Sequence, residues 1–277
     1  MTKTIAALAV AMALIPTSGM AQTTQYELVE YEEIEWGALN SARGDASPRA
    51  GDLWGDRTGD TATGFLVRFD EGFSSPPHIH NVTYRGLVLD GRVHNDDPEA
   101  ARMWLSPMSF WTQPAGEDHI TAADGAFNVA YIEIDSGPYL VQPSDEAFDN
   151  GERPINVEAR NLVWLDGSDI EFVPMGGDAR RVETAYLWSN EQTGERGSLV
   201  RLPNGFTGQI ATGSGQFRAI TGTTGITYSN PQMPEAKALS KGSYFGSTEI
   251  ASHQIGCSDE DGCTIYVRTN GAITFVR

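Results

Sequence analysis

The sequence predicts an all-β protein built as two β-barrels in tandem, and three observations carry that reading. Short strand-like segments begin at Asp52 and continue almost to the C-terminus, each broken by Gly, Pro, Asn or Asp, and no long stretch has helical periodicity. The chain also repeats itself at an interval near 134 residues. Leu53-Trp54, Gly64-Phe-Leu-Val-Arg-Phe69 and Gly72-Phe73 return as Leu187-Trp188, Gly197-Ser-Leu-Val-Arg-Leu202 and Gly205-Phe206, while Ser109-Phe-Trp111 with His119 returns as Ser243-Tyr-Phe245 with His253. That interval is the size of a domain rather than of a solenoid repeat, and 277 residues at 40% hydrophobic content suffice for two ordinary cores.

Taken in order, residues 1–21 read as a secretory signal: Lys3, an apolar run over residues 5–15, then Gly19-Met20-Ala21 before a cut at Gln22. The run is too short to span a bilayer, so the expected location is periplasmic or secreted. Residues 22–36 form an acidic lead-in whose partial alternation predicts an early strand, and residues 36–51 read as loop. The two units are expected over 22–145 and 146–277, with the Pro-containing passage 138–154 as linker. A formal net charge of −18 argues against nucleic acid and anionic membrane surfaces as partners. The two cysteines, Cys257 and Cys263, flank a run of turn formers and acids, which in an oxidising compartment predicts a disulfide, two free thiols being the alternative.

The chemistry concentrates between Gly72 and Gly91. His78 and His80 are two apart on a strand-like segment and project to the same face. Further on, Gln113-Pro-Ala-Gly-Glu-Asp-His119 uses a Pro-x-Gly turn to set up a third histidine. Three of the five histidines in the chain therefore make a candidate metal site. The second copy has Gln209-Ile-Ala-Thr212 where the first has His78-Ile-His80, so His253 stands alone there.

These residues resemble the cupin superfamily, and the duplication resembles its bicupins, in particular uncharacterised bacterial ones. The first motif, G-x5-H-x-H-x3-E-x6-G, is met at Gly72, His78, His80 and Gly91, with Tyr84 in place of its glutamate. The second, G-x5-P-x-G-x2-H-x3-N, is met at Pro114, Gly116 and His119 and departs at Met108 and Ala123. The resemblance implies two tandem cupin-like jelly-roll barrels, with His78, His80 and His119 holding a divalent metal ion (Fe2+, Zn2+ or Mn2+) in the first. Tyr84 and His94 are the candidate catalytic side chains. Tyr84 either hydrogen bonds a metal-bound water or fills the barrel, and His94 is a fourth ligand, a residue that orients substrate, or a loop histidine. Gln113 and Glu133 are the polar strand residues available to replace the missing acid. Trp104, Phe110 and Trp111 read as core.

Three-histidine cupins without the glutamate include iron dioxygenases of diketone-like substrates. The resemblance thus implies an exported metal-dependent oxidoreductase acting on a small anionic or diketone-like molecule, with a homodimer left open. The alternatives are a non-catalytic periplasmic protein that binds or senses a small molecule or metal, and a module whose metal only stiffens the barrel.

Overall fold

The computed structural model describes residues 25–167 and 181–276; the expected signal segment, residues 1–21, lies outside the described residues. In the N-terminal half a seven-stranded antiparallel sheet runs in the order Ile155–Val157, Phe110–Gln113, Tyr84–Asp90, Asn128–Ile134, Thr63–Phe69, Arg49–Trp54, Gly37–Ala38. Two ribbons form the opposite wall: His78–His80 with Val141–Pro143, and Val93–Asp96 with Ile120–Ala123. The C-terminal half pairs a six-stranded sheet with a five-stranded one.

Strand alternation divides the interior into three cores. Along Thr63–Phe69, Phe65, Val67 and Phe69 enter the first barrel with Val93 and Trp111, whereas Leu66 turns outward to meet Leu199, Tyr244 and Tyr266 of the other half. A third cluster, around Phe217, Phe245 and Ile265, fills the second barrel. Asn128–Ile134, central in the seven-stranded sheet with a core on each face, is therefore buried at every position.

The duplicated tryptophans explain why the repeat carries glycine opposite them. Trp54 faces Gly64 and Trp188 faces Gly197 across paired strands, and a Cβ on either glycine would fall about 2 Å from the indole. Each indole donates to a tyrosine, Trp54 to Tyr131 (3.1 Å) and Trp188 to Tyr266 (2.9 Å). Arginines cover the outer faces crosswise, Arg218 on Trp54 and Arg85 on Trp188. Replacing Gly64 by Ala is expected to displace Trp54 and cost roughly 1–3 kcal/mol. Chemical denaturation would show this as a lower midpoint at unchanged slope.

The halves also exchange strands. Tyr26–Val29 pairs with Tyr244–Thr248 of the C-terminal half, and Ile155–Val157 pairs with Phe110–Gln113 of the N-terminal half. Both exchanged strands cross the boundary expected between residues 145 and 146. Within the passage 138–154, Val141–Pro143 pairs with the histidine strand. The disulfide Cys257–Cys263 is present, and it closes the turn between Ala251–Cys257 and Cys263–Thr269, which belong to different sheets of the second barrel.

Candidate metal centre

His78 and His80 sit on one short strand, and His119 reaches them because residues 78 and 119 exchange both backbone hydrogen bonds, each 3.0 Å. The ring centroids lie 4.3 to 5.2 Å apart, and one nitrogen from each ring falls within 4.8 Å of the others. In every ring Nδ1 is turned toward a backbone carbonyl: His78 to Pro76 (3.0 Å), His80 to Leu140 (2.9 Å) and His119 to Glu117 (3.1 Å). A carbonyl only accepts, so Nδ1 must carry the proton and Nε2 is left with its lone pair.

Electrostatics act in the same direction. Burial lowers the pKa of all three rings, pushing His119 down to about 3, and for His80 and His119 the neighbouring imidazoles add to the effect. At neutral pH the cluster is three neutral imidazoles with fixed tautomers, a donor set that fits a first-row divalent ion and leaves coordination positions open.

His78 and His80 open onto a cavity of about 400 Å³, with His119 packed behind them. Its walls include Val67, Phe69, Phe73, Trp111, Ile132 and Tyr139. Tyr84 lines it as well, and burial raises its phenol pKa. Its hydroxyl donates to Asn95 Oδ1 (2.8 Å) and lies 3.4 Å from His119 Nε2. Asn95 is held in turn: its amide donates to Gln113 (2.8 Å), and Thr121 donates to its oxygen (2.7 Å). Tyr139 stacks on His80 and brings its hydroxyl to 3.1 Å from Nε2.

The sequence-predicted residues divide accordingly. His78, His80, His119 and Tyr84 come together. His94 does not: Val93 and Asn95 turn into the barrel, so His94 faces outward, buried under Met103 and Trp104 with Nδ1 3.3 Å from the Met103 carbonyl. Asn95 is the residue of that strand that reaches the site, and the parity set by Val93 is the signal for it. Glu133, whose facing the sequence left open, shares a face with Val129 and Tyr131 and points into the interface between halves. Gln113 is inside, two residues from Trp111, which lines the cavity, whereas Phe110 belongs to the interface core. Met108, standing where the motif has glycine, adopts φ 69°, the left-handed conformation that a glycine takes more easily.

In the second barrel His253 occupies the place of His119 and pairs with Ile210, as His119 pairs with His78. Its two nitrogens face Tyr228 (3.0 Å) and Ser247 (2.9 Å), and among the described residues the only three-ligand group is in the first barrel. Burial pushes His253 down to about 4. Unfolded histidine titrates near 6.5, so between these values the unfolded state takes up the extra proton and stability falls as pH drops. The full contribution is on the order of 3 kcal/mol, present above pH ~6.5 and lost by about pH 4. Thermal melts across this range should fall less steeply for His253→Asn than for the parent; parallel curves would contradict the assignment.

No curated protein matches the sequence. Among solved structures, a candidate dioxygenase from Nostoc punctiforme is 15% identical with a TM-score of 0.68, over 91% of this chain and 87% of that one. Salicylate 1,2-dioxygenase from Pseudaminobacter salicylatoxidans is 11% identical with a TM-score of 0.60, over 93% and 88%. Protein Ylba from E. coli is 12% identical with a TM-score of 0.59, over 92% and 94%. At these identities the likeness is one of fold, a nearly all-β, cupin-like one. The family model described as Domain of unknown function (DUF4437) matches residues 27–276, and the chain belongs to that family.

Proposed function

We propose that this protein is an exported, metal-dependent oxidoreductase of the dioxygenase type, acting on a small anionic or diketone-like molecule at His78, His80 and His119. The observation that carries the reading is the set of three imidazoles, each with Nδ1 turned to a carbonyl and one nitrogen within 4.8 Å of the others, beside an apolar cavity that His78 and His80 line. Two of the similar folds, the candidate dioxygenase and the salicylate 1,2-dioxygenase, support it. A divalent ion bound there supplies Lewis acidity and, if it is iron, dioxygen chemistry.

The chain's own residues supply the rest. Val67, Phe69 and Trp111 exclude water and hold a flat apolar body. With its hydroxyl donating a hydrogen bond to Asn95, Tyr84 presents oxygen lone pairs to a hydroxyl or water beside His119. Tyr139 holds the His80 ring by stacking. All three imidazoles come from one chain, so this chemistry does not require a homodimer. Export to a periplasm or the medium is supported by the disulfide and by the pattern of residues 1–21.

The test is elemental analysis of protein purified under metal-replete conditions, followed by oxygen uptake with small diketones and phenolic acids. About one ion per chain and substrate-dependent uptake are expected. Absence of any bound divalent ion defeats the reading. A second reading, capture of a small molecule without turnover, is favoured because among the described residues no carboxylate lines the cavity to act as base. Native mass spectrometry showing a retained ligand and no product selects it.

A further inference from the structure

The charge of the cavity wall is at odds with the charge of the chain. Acids outnumber bases 37 to 19 in the sequence, yet among the described residues no Asp or Glu lines this cavity, and the one permanently charged side chain that does is Arg43. Arg43 stands on the turn Ser41–Ala46, which the Asn40 side chain caps by accepting from the Ala42 amide (3.0 Å), and its guanidinium lies 5.8 Å from the Phe73 ring centre. Among the described residues no carboxylate lies within ion-pair distance of it. Nine other cations of the chain do have such a partner among those residues. Its charge is also close enough to His78 to disfavour protonation of that ring.

We infer that Arg43 is the substrate-specificity residue of the cavity and that the ligand is a carboxylic acid on a flat apolar body, its carboxylate paired with the Arg43 guanidinium and its body between Phe73, Phe69 and Trp111. This rests on the cavity being the substrate chamber, and it narrows that reading from anionic or diketone-like molecules to carboxylates. The chemistry follows from the parts. A guanidinium offers a planar fork of N–H donors that matches a carboxylate, and apolar walls that exclude water strengthen the pair. A neutral diketone would leave that cation without an anionic partner when the cavity fills.

The experiment compares benzoate and phenylacetate with their neutral isosteres benzamide and phenylacetamide, read by quenching of tryptophan fluorescence and by calorimetry. It is run on chelator-treated protein and on protein loaded with Zn2+, for the parent, Arg43→Met and Arg43→Lys. The acids are expected to bind the parent about tenfold or more tighter than the amides in both forms. Arg43→Met should remove that ratio and Arg43→Lys keep part of it, with metal content unchanged in both variants. Equal binding of acid and amide to the parent, no binding of either acid at millimolar concentration, or an intact ratio in Arg43→Met overturns the inference. Because the chelated protein carries the comparison by itself, failure to bind metal would defeat the proposed function without touching this result.

Discussion

Replacing Arg268 by Ala is expected to lower the melting temperature by on the order of 10 °C, a larger loss of stability than Gly64→Ala should cause. Arg268 is 2% exposed and its Nη1 faces Glu133, which is 1% exposed, at 3.6 Å, while its Nη2 reaches both Asp135 (2.9 Å) and Glu195 (2.7 Å). Burial alone would lower its pKa, but the carboxylates of Glu133, Asp135 and Glu195 outweigh burial and raise it. Glu133 also accepts from Tyr131 (2.9 Å) and Tyr266 (2.8 Å), one tyrosine from each half. Truncating the arginine leaves Glu133 buried with the two tyrosine hydroxyls and, as its nearest remaining cation, only Arg85 at 3.9 Å, a change that costs roughly 3–5 kcal/mol in such settings. A double-mutant cycle with Glu133→Gln provides the check. The pair should cost less than the sum of its members, and strict additivity would show that the two side chains are not coupled.

Replacing His80 by Ala should take metal content from about one ion per chain to near zero after gel filtration. Two nitrogens rarely retain a first-row ion against buffer, and among the described residues no carboxylate lines the cavity to substitute. His94→Ala is the matched control: it removes an imidazole of similar burial on the outward face of its strand and should leave the metal in place. Retention of the ion by His80→Ala, or its loss in His94→Ala, would move the centre elsewhere. Stability of the metal-free forms, measured alongside, separates lost ligation from lost folding.

Much of the fold and of the metal centre is legible in the residues. The period-two pattern announces the strands, the return of Leu-Trp and Gly-Phe announces the second copy, and His-x-His with Pro-x-Gly-x2-His marks the three ligand candidates. What stays hidden has physical causes. A strand such as Asn128–Ile134, buried on both faces, has no polar side to reveal its parity, and so the facing of Glu133 is not assignable from sequence. His94 draws attention by its chemistry, whereas its neighbours Val93 and Asn95 settle the facing by alternation. Tyr139 escapes notice because a three-residue ribbon among prolines reads as linker. The exchanged strands pair with partners roughly 45 and 218 positions away, and nothing local encodes a partner.

The exchange bears on how the molecule is completed during synthesis. The ribosome releases Tyr26–Val29 long before Tyr244–Thr248 exists, so the first segment made is among the last to be seated. The N-terminal barrel can close on Ile155–Val157 while its own leading strand still hangs free. A fragment ending near residue 145 would lack one edge and carry an orphan one, and a fragment starting there would have the reverse defect. Dissection into single barrels should therefore follow the pairing, with the two short strands traded, rather than a single cut in the sequence.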